Sequence, residues 1–399
     1  MIVASRVSAS RLDRDKPFNI AMLAPPWIPT PPPGYGGIEH VVASLCDGMV
    51  KLGHHVTLFA APGSRSLATV HEVLPRSYPN AIGQALHESD HVSRVLDVLD
   101  EAAEKGEPFD ILHDHCGFTT VAVADRIATP VIHTLHGPFT SDTGAFYRQH
   151  GDNVLLVAIS EAQRASAPSG VQVAGVVPNP IDVDDWPFRP EKEDYAFWAG
   201  RFNEFKGAHR AIAAAQKADI PLILAGPVQP GQEEYFQREI EPHLDDKQVR
   251  YLGEVGGNEK KELFANARAL LMPITWDEPF GMVMVEALAC GTPVIAFARG
   301  AATEIVQDQV NGYLVNDVES MAAAIAALDH LDPAICRESV AKRFTPEIVS
   351  KGYVDIYRQA LTPPPPRWSL SEPSQKRRLE ISRGGWRSGV TRRPQATPR

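Results

Sequence analysis

Short apolar runs rich in β-branched residues alternate along the chain with longer stretches whose apolar positions recur at helical spacing. In the first half the runs predict strands over 18–23, 55–60, 110–113, 131–135, 154–159 and 173–177. Amphipathic segments at 38–51 and 92–103 lie between them. This βαβ rhythm is that of a parallel sheet with helices on both faces. The rhythm breaks around 182–194, where proline and acidic residues predict a linker. It then restarts, with strands predicted at 195–199, 221–225, 249–252, 269–272 and 294–297 and helices at 208–217, 259–265, 282–289 and 321–328.

The pattern predicts an α/β chain of two Rossmann-like domains with parallel sheets facing a central cleft. Its expected boundaries are an N-terminal extension at 1–17, a first domain at 18–186 and a second at 187–345. A final helix at 346–362 is expected to cross back to the first domain, and a basic tail at 363–399 follows. No apolar run reaches the roughly 18 residues of a membrane span. The first residues carry early charges and no apolar core, so they do not read as a secretory signal, and a cytoplasmic location is the expectation.

Charge adds one distinction. The net charge is −10, yet residues 363–399 hold nine Lys/Arg against two Asp/Glu. The body is therefore more acidic than the total, which argues against nucleic acid as a ligand. The tail reads as a solvated extension; weak contact with an anionic membrane surface is the sharper alternative. The four cysteines, Cys46, Cys116, Cys290 and Cys336, form no C-x-x-C pair and read as buried, reduced thiols.

Several strand ends carry candidate chemistry. The segment from Trp276 to Glu286 predicts a helix start near Gly281. The backbone N–H groups of Gly281, Met282 and Val283 would point from it towards an anion, flanked by Glu278 and Glu286. Phe280, just before Gly281, is a further expected donor contact. The bland alternative is an ordinary helix start with a solvent-facing Glu286. A second βα loop, from Trp198 to Gly207, pairs Arg201 with Lys206, two cations suited to a diphosphate. A third, from Pro33 to Glu39, offers Gly34, Gly36 and Gly37 for close approach to a phosphate. It is neither G-x-G-x-x-G nor a Walker A loop, which weighs against a dinucleotide oxidoreductase. His136 follows a strand end and would reach a cleft there. His113 and His115 share H-x-H spacing, but no third ligand stands out, so no metal is expected. Base discrimination is expected near Tyr251 and Pro227, and Gly226 and Pro227 are expected donor contacts. Ser160 and Gln163 read as a capping box, and Asn311-Gly312 as a tight turn.

Taken together these segments resemble family 4 of the retaining glycosyltransferases, which have the GT-B fold. Glu278 and Glu286 match its E-x7-E element, Arg201 and Lys206 its basic pair, Gly36-Gly37 its first glycine loop and His136 its sheet-end histidine. Residues 176–182 and 289–296 resemble stretches near the domain crossing and after the E-x7-E helix, and Pro180 departs from the glycine that many members carry. The resemblance covers roughly residues 19–360. It implies a hexosyl transfer from a nucleotide-diphosphate sugar, a UDP-hexose, to a hydroxyl acceptor, without cofactor or metal. It assigns the acceptor to the first domain and the donor to the second. It implies that His136 contacts the transferred sugar, Arg201 and Lys206 the diphosphate, Glu278 a sugar hydroxyl and Glu286 the ribose. The alternatives are a GT-B phosphorylase, a nucleotide-sugar epimerase and a non-catalytic nucleotide-sugar binder.

Overall fold

The computed structural model describes residues 16–34 and 36–362. Most of the predicted N-terminal extension, Tyr35 of the glycine loop, and the tail with its membrane-surface reading lie outside the described residues. Among the described residues no helix is long and apolar enough to cross a membrane.

Among the described residues, thirteen strands form two fully parallel sheets. In the first, β1 (Asn19–Leu23), β2 (His55–Phe59), β3 (Thr69–His71), β4 (Ile111–Asp114), β5 (Val131–Thr134), β6 (Leu155–Ala158) and β7 (Val173–Val176) lie in the order β3-β2-β1-β4-β5-β6-β7. In the second, β8 (Ala196–Ala199), β9 (Leu222–Ala225), β10 (Val249–Tyr251), β11 (Ala269–Met272), β12 (Val294–Phe297) and β13 (Gly312–Val315) lie in the order β10-β9-β8-β11-β12-β13. Strands β3 and β13 join the predicted set. Each sheet reverses its winding once, between β1 and β4 and between β8 and β11. Such switch points leave a crevice at the carboxyl ends of the strands.

Period-two alternation divides each strand between two cores. Ile20 and Met22 enter one apolar cluster, whereas Ala21 and Leu23 enter the cluster on the other face. Phe197 and Ile223 likewise face away from Trp198 and Leu224. The final helix, Pro346–Leu361, sends Val349, Tyr353 and Tyr357 into the first sheet's core, against Leu45 and Met49 of the helix Gly37–Lys51. The two helices meet at Gly48, where an added Cβ would lie 2.4 Å from Ser350 Oγ. Two hydroxyls of this helix reach the sheet, Tyr357 to His113 Nδ1 at 2.7 Å and Tyr353 to Thr134 Oγ1 at 2.8 Å.

The proline-rich crossing segment is stitched to the second half. Lys192 donates to Ala265 O, Cys290 O and Thr292 Oγ1, and burial lowers its pKa to about 8. All four cysteines are unpaired and buried.

Candidate functional site

The crevice between the two sheets has a volume of about 390 Å³. Gly36, Gly37, His136, Arg201, Lys206, Gly226, Glu278, Phe280, Gly281, Met282, Val283 and Glu286 all border it. Pro227 and Tyr251 do not. Pro227 stands one residue too far along, and its carbonyl accepts from Phe202 N at 2.9 Å. The Tyr251 hydroxyl instead donates to Gly226 O at 3.0 Å.

The loop after β8 is built locally. Asn203 Oδ1 accepts from Lys206 N at 2.9 Å and closes a short 3-10 turn. Gly207 then adopts φ 74°, and an added Cβ would meet Pro273 O at 2.3 Å. Thr275 N donates to Phe205 O, which ties this loop to the one after β11. The result places Lys206 Nζ 2.5 Å from Glu278 Oε2 and 5.0 Å above the Trp276 ring. Arg201 lines the cleft beside them, and its charge reaches Glu39 of the facing half. Glu39 is buried, and burial raises its pKa against the opposing pull of its own backbone N–H and of Arg201.

Gly281 is the N-cap of the helix Met282–Ala289, at φ 85°, so the helix begins one residue later than its glycine. Glu278 is held by its backbone: its carbonyl accepts from Ala301 N at 2.9 Å. Gly300, at φ 51°, passes so close that a Cβ there would lie 2.6 Å from Glu278 N and O. The turn at 300–304 therefore buttresses the site. Glu286 is 6% exposed, contrary to the solvent-facing alternative. Its Oε1 accepts from Lys260 Nζ at 2.7 Å, while Oε2 is buried without a partner. A carboxylate oxygen left so in a ligand-sized crevice is an acceptor awaiting a donor.

In the first half, His136 follows β5 by two residues. Gln163 fixes the backbone on either side of it, donating from Nε2 to Leu135 O and to Gly137 O, both at 2.9 Å. Ser160 Oγ caps the same short helix by accepting from Gln163 N, but Gln163 Oε1 takes Ile159 N, so the predicted capping box is half formed. Behind His136 lies a buried polar network. His115 Nδ1 is 2.9 Å from His136 Nε2, and His133 Nδ1 is 2.7 Å from Asp114 Oδ2. Burial pushes the pKa of His113 and His115 well down, neighbouring imidazoles adding to the effect, and lowers His136 to about 3. These rings are neutral donors and acceptors near neutrality. Among the described residues no group of three or more His, Cys, Asp or Glu is arranged to hold a metal ion.

Three bordering residues were given no role by the sequence reading. Lys260 sits on a helix with no motif around it, and only proximity to Glu286 reveals it. Asn179 is 5% exposed with Oδ1 unpartnered, and Trp276 Nε1 is likewise buried without a partner. A polar residue inside the P-N-P stretch was the one available signal for Asn179.

A family model described as Glycosyltransferase Family 4 matches residues 35–185, and one described as Glycosyl transferases group 1 matches residues 183–341. The chain is 26% identical to the D-inositol 3-phosphate glycosyltransferase of Saccharomonospora viridis, over 86% of this chain and 95% of that protein. Among solved structures it resembles AviGT4, a glycosyltransferase involved in avilamycin A biosynthesis, with TM-score 0.67 and 28% identity over 86% of this chain and 98% of that one. Anabaena Alr3699/HepE in complex with UDP and glucose shares the fold, with TM-score 0.64 and 19% identity over 86% of this chain and 99% of that one.

Proposed function

The chain belongs to the family 4 glycosyltransferases and has the GT-B fold, and from that premise we propose that it moves a hexosyl group from a UDP-hexose to a hydroxyl acceptor with retention at the anomeric carbon. The observation that carries the reading is the pair of Lys–Glu contacts, Lys206–Glu278 and Lys260–Glu286, on either side of one helix start in one cleft. Arg201 and Lys206 take the diphosphate with the amides of residues 281–283. Glu278 accepts from a hydroxyl of the transferred sugar, and the unpartnered Glu286 Oε2 accepts from the ribose. The uridine and the hexose follow the family's prevalence.

As the anomeric C–O bond breaks, its electron pair passes to the diphosphate oxygen. Cations and N–H groups already aimed there stabilise that charge without reorganising. The acceptor hydroxyl attacks from the same face and gives its proton to the departing phosphate oxygen. Both glutamates are engaged by lysines, which suits hydroxyl ligands better than a displacing nucleophile. The cations do the neutralising work that other transferases assign to a divalent ion. The donor occupies the second half and the acceptor enters from the first.

A thermal-shift panel of UDP, GDP, ADP and their sugars tests the donor. The matching ligand at 100 times its Kd adds about 2.7 kcal/mol of stability. NMR of the product's anomeric proton tests the stereochemistry. Stabilisation by no nucleotide sugar, or an inverted product, overturns the reading. Turnover that needs inorganic phosphate in place of the nucleotide favours a phosphorylase.

A further inference from the structure

His136 borders the cleft and presents one ring nitrogen to another histidine. Its Nε2 is 2.9 Å from His115 Nδ1. Its ring borders the cleft, and its Nδ1 bonds to no group of the chain among the described residues. His115 is 1% exposed, and its remaining nitrogen, Nε2, is buried without a partner. Between two neutral imidazoles one proton is shared at the contact, and two arrangements satisfy it. In one, His136 Nε2–H donates to His115 Nδ1, and His115 then buries an N–H with no acceptor. In the other, His115 Nδ1–H donates to His136 Nε2, and His115 buries only an unused lone pair. Orphaned buried N–H donors are rarer in folded proteins than under-satisfied acceptors. The second arrangement is therefore the one this packing favours.

We propose that His115 is a positioning residue that fixes His136 as the Nδ1–H tautomer, so that His136 offers the cleft a hydrogen-bond donor and no free lone pair. His136 then cannot serve as a general base. It donates to an oxygen of the bound sugar, and Gln163, which holds the carbonyls on either side of it, keeps the ring in register. The depressed pKa values of both rings agree with a neutral pair. The catalytic consequence rests on the proposed glycosyl transfer, whereas the tautomer does not.

The test is a long-range 1H–15N correlation spectrum of protein labelled with 15N-histidine, with the His136 signals identified by their loss in His136→Gln. The expected spectrum shows a protonated Nδ1 and an unprotonated Nε2 at His136. His115→Asn keeps an N–H near the Nδ1 position and preserves that pattern. His115→Val removes it and releases His136 to the Nε2–H form. Under saturating donor, His115→Val lowers kcat by about ten-fold, the weight of one hydrogen bond, and His115→Asn restores most of it. A protonated Nε2 at His136 in the unmodified protein overturns the proposal, as does a His115→Val spectrum with Nδ1 still protonated. Should His115→Val fail to fold, the unmodified protein and His115→Asn decide the question. A chain that turns over no nucleotide sugar defeats the functional reading while the spectrum still decides the tautomer.

Discussion

Lys206 and Glu278 form an ion pair whose side chains are 25% and 14% exposed, bridging the loops after β8 and β11. Each neutralises the other, and in the proposed transfer the diphosphate shares Lys206 with the carboxylate. Lys206→Ala removes a cation from the developing negative charge and lowers kcat/KM by about 10²–10³. It also strands Glu278, so Glu278→Ala added to it costs less than the two single losses combined. A double-mutant cycle on kcat/KM reads this coupling, expected at about 0.5–3 kcal/mol. Strict additivity refutes the pairing as a working unit.

Glu304 belongs to the second half but caps a helix of the first. Its carboxylate accepts from Glu161 N at 2.9 Å and from Ala162 N at 2.6 Å, at the start of the helix Glu161–Ala165. Glu304→Ala removes two charge-assisted bonds that hold the halves in this arrangement, each worth about 1.5–3 kcal/mol before discounting for its partial exposure. The expected result is a larger radius of gyration by small-angle scattering and a weaker donor KM. Glu304→Gln, which still offers an acceptor, falls between. An unchanged radius with normal KM shows that other contacts hold the halves together.

Much of the fold was legible because apolar runs of strand length recur between amphipathic helices, and the helices at 208–217 and 282–289 end where periodicity ends. Strand β3 was hidden because Thr69–His71 is three residues long and mostly exposed, leaving no run to count. Strand β13 was hidden behind Asn311-Gly312, whose turn chemistry was read without the edge strand that follows. Gly312 is required there, since a Cβ would lie 2.0 Å from Val294 O. In the site, residues at strand ends could be found from pattern. The roles of Lys260, His115 and Gln163 could not, because they come from contacts 21 to 28 residues away in the chain, which neither the H-x-H spacing nor the capping motif reveals.

Gly226 tests how closely the cleft wall is packed. It sits at φ 136°, and an added Cβ would lie 1.9 Å from Gly200 O. That neighbour is backbone and cannot swing aside. Gly226→Ala is therefore expected to destabilise the chain by about 1–3 kcal/mol or to displace the loop after β8, where Arg201 and Lys206 reside. Urea unfolding measures the first outcome, and a weaker nucleotide-induced thermal shift measures the second. A variant equal to the parent in both measurements contradicts this packing.

Acid should loosen the first half through its buried histidines. His91 is fully buried, donates from Nε2 to Ala24 O and leaves Nδ1 unpartnered. Burial lowers its pKa from 6.5 to about 4, outweighing its backbone bond and the attraction of Asp114 and Asp90. Between those two values the unfolded chain holds the proton and the folded chain does not. Stability is therefore fully present above 6.5 and declines as pH falls towards 4. The slope for one such group is up to about 1.4 kcal/mol per pH unit. His113, His115 and His136 act in the same direction. His91→Gln keeps a donor for Ala24 O and removes the titration, so its unfolding free energy in urea should fall less steeply between about pH 7 and pH 5. Parallel slopes for the two proteins would mean that His91 is already protonated in the fold, or that it is never charged when unfolded.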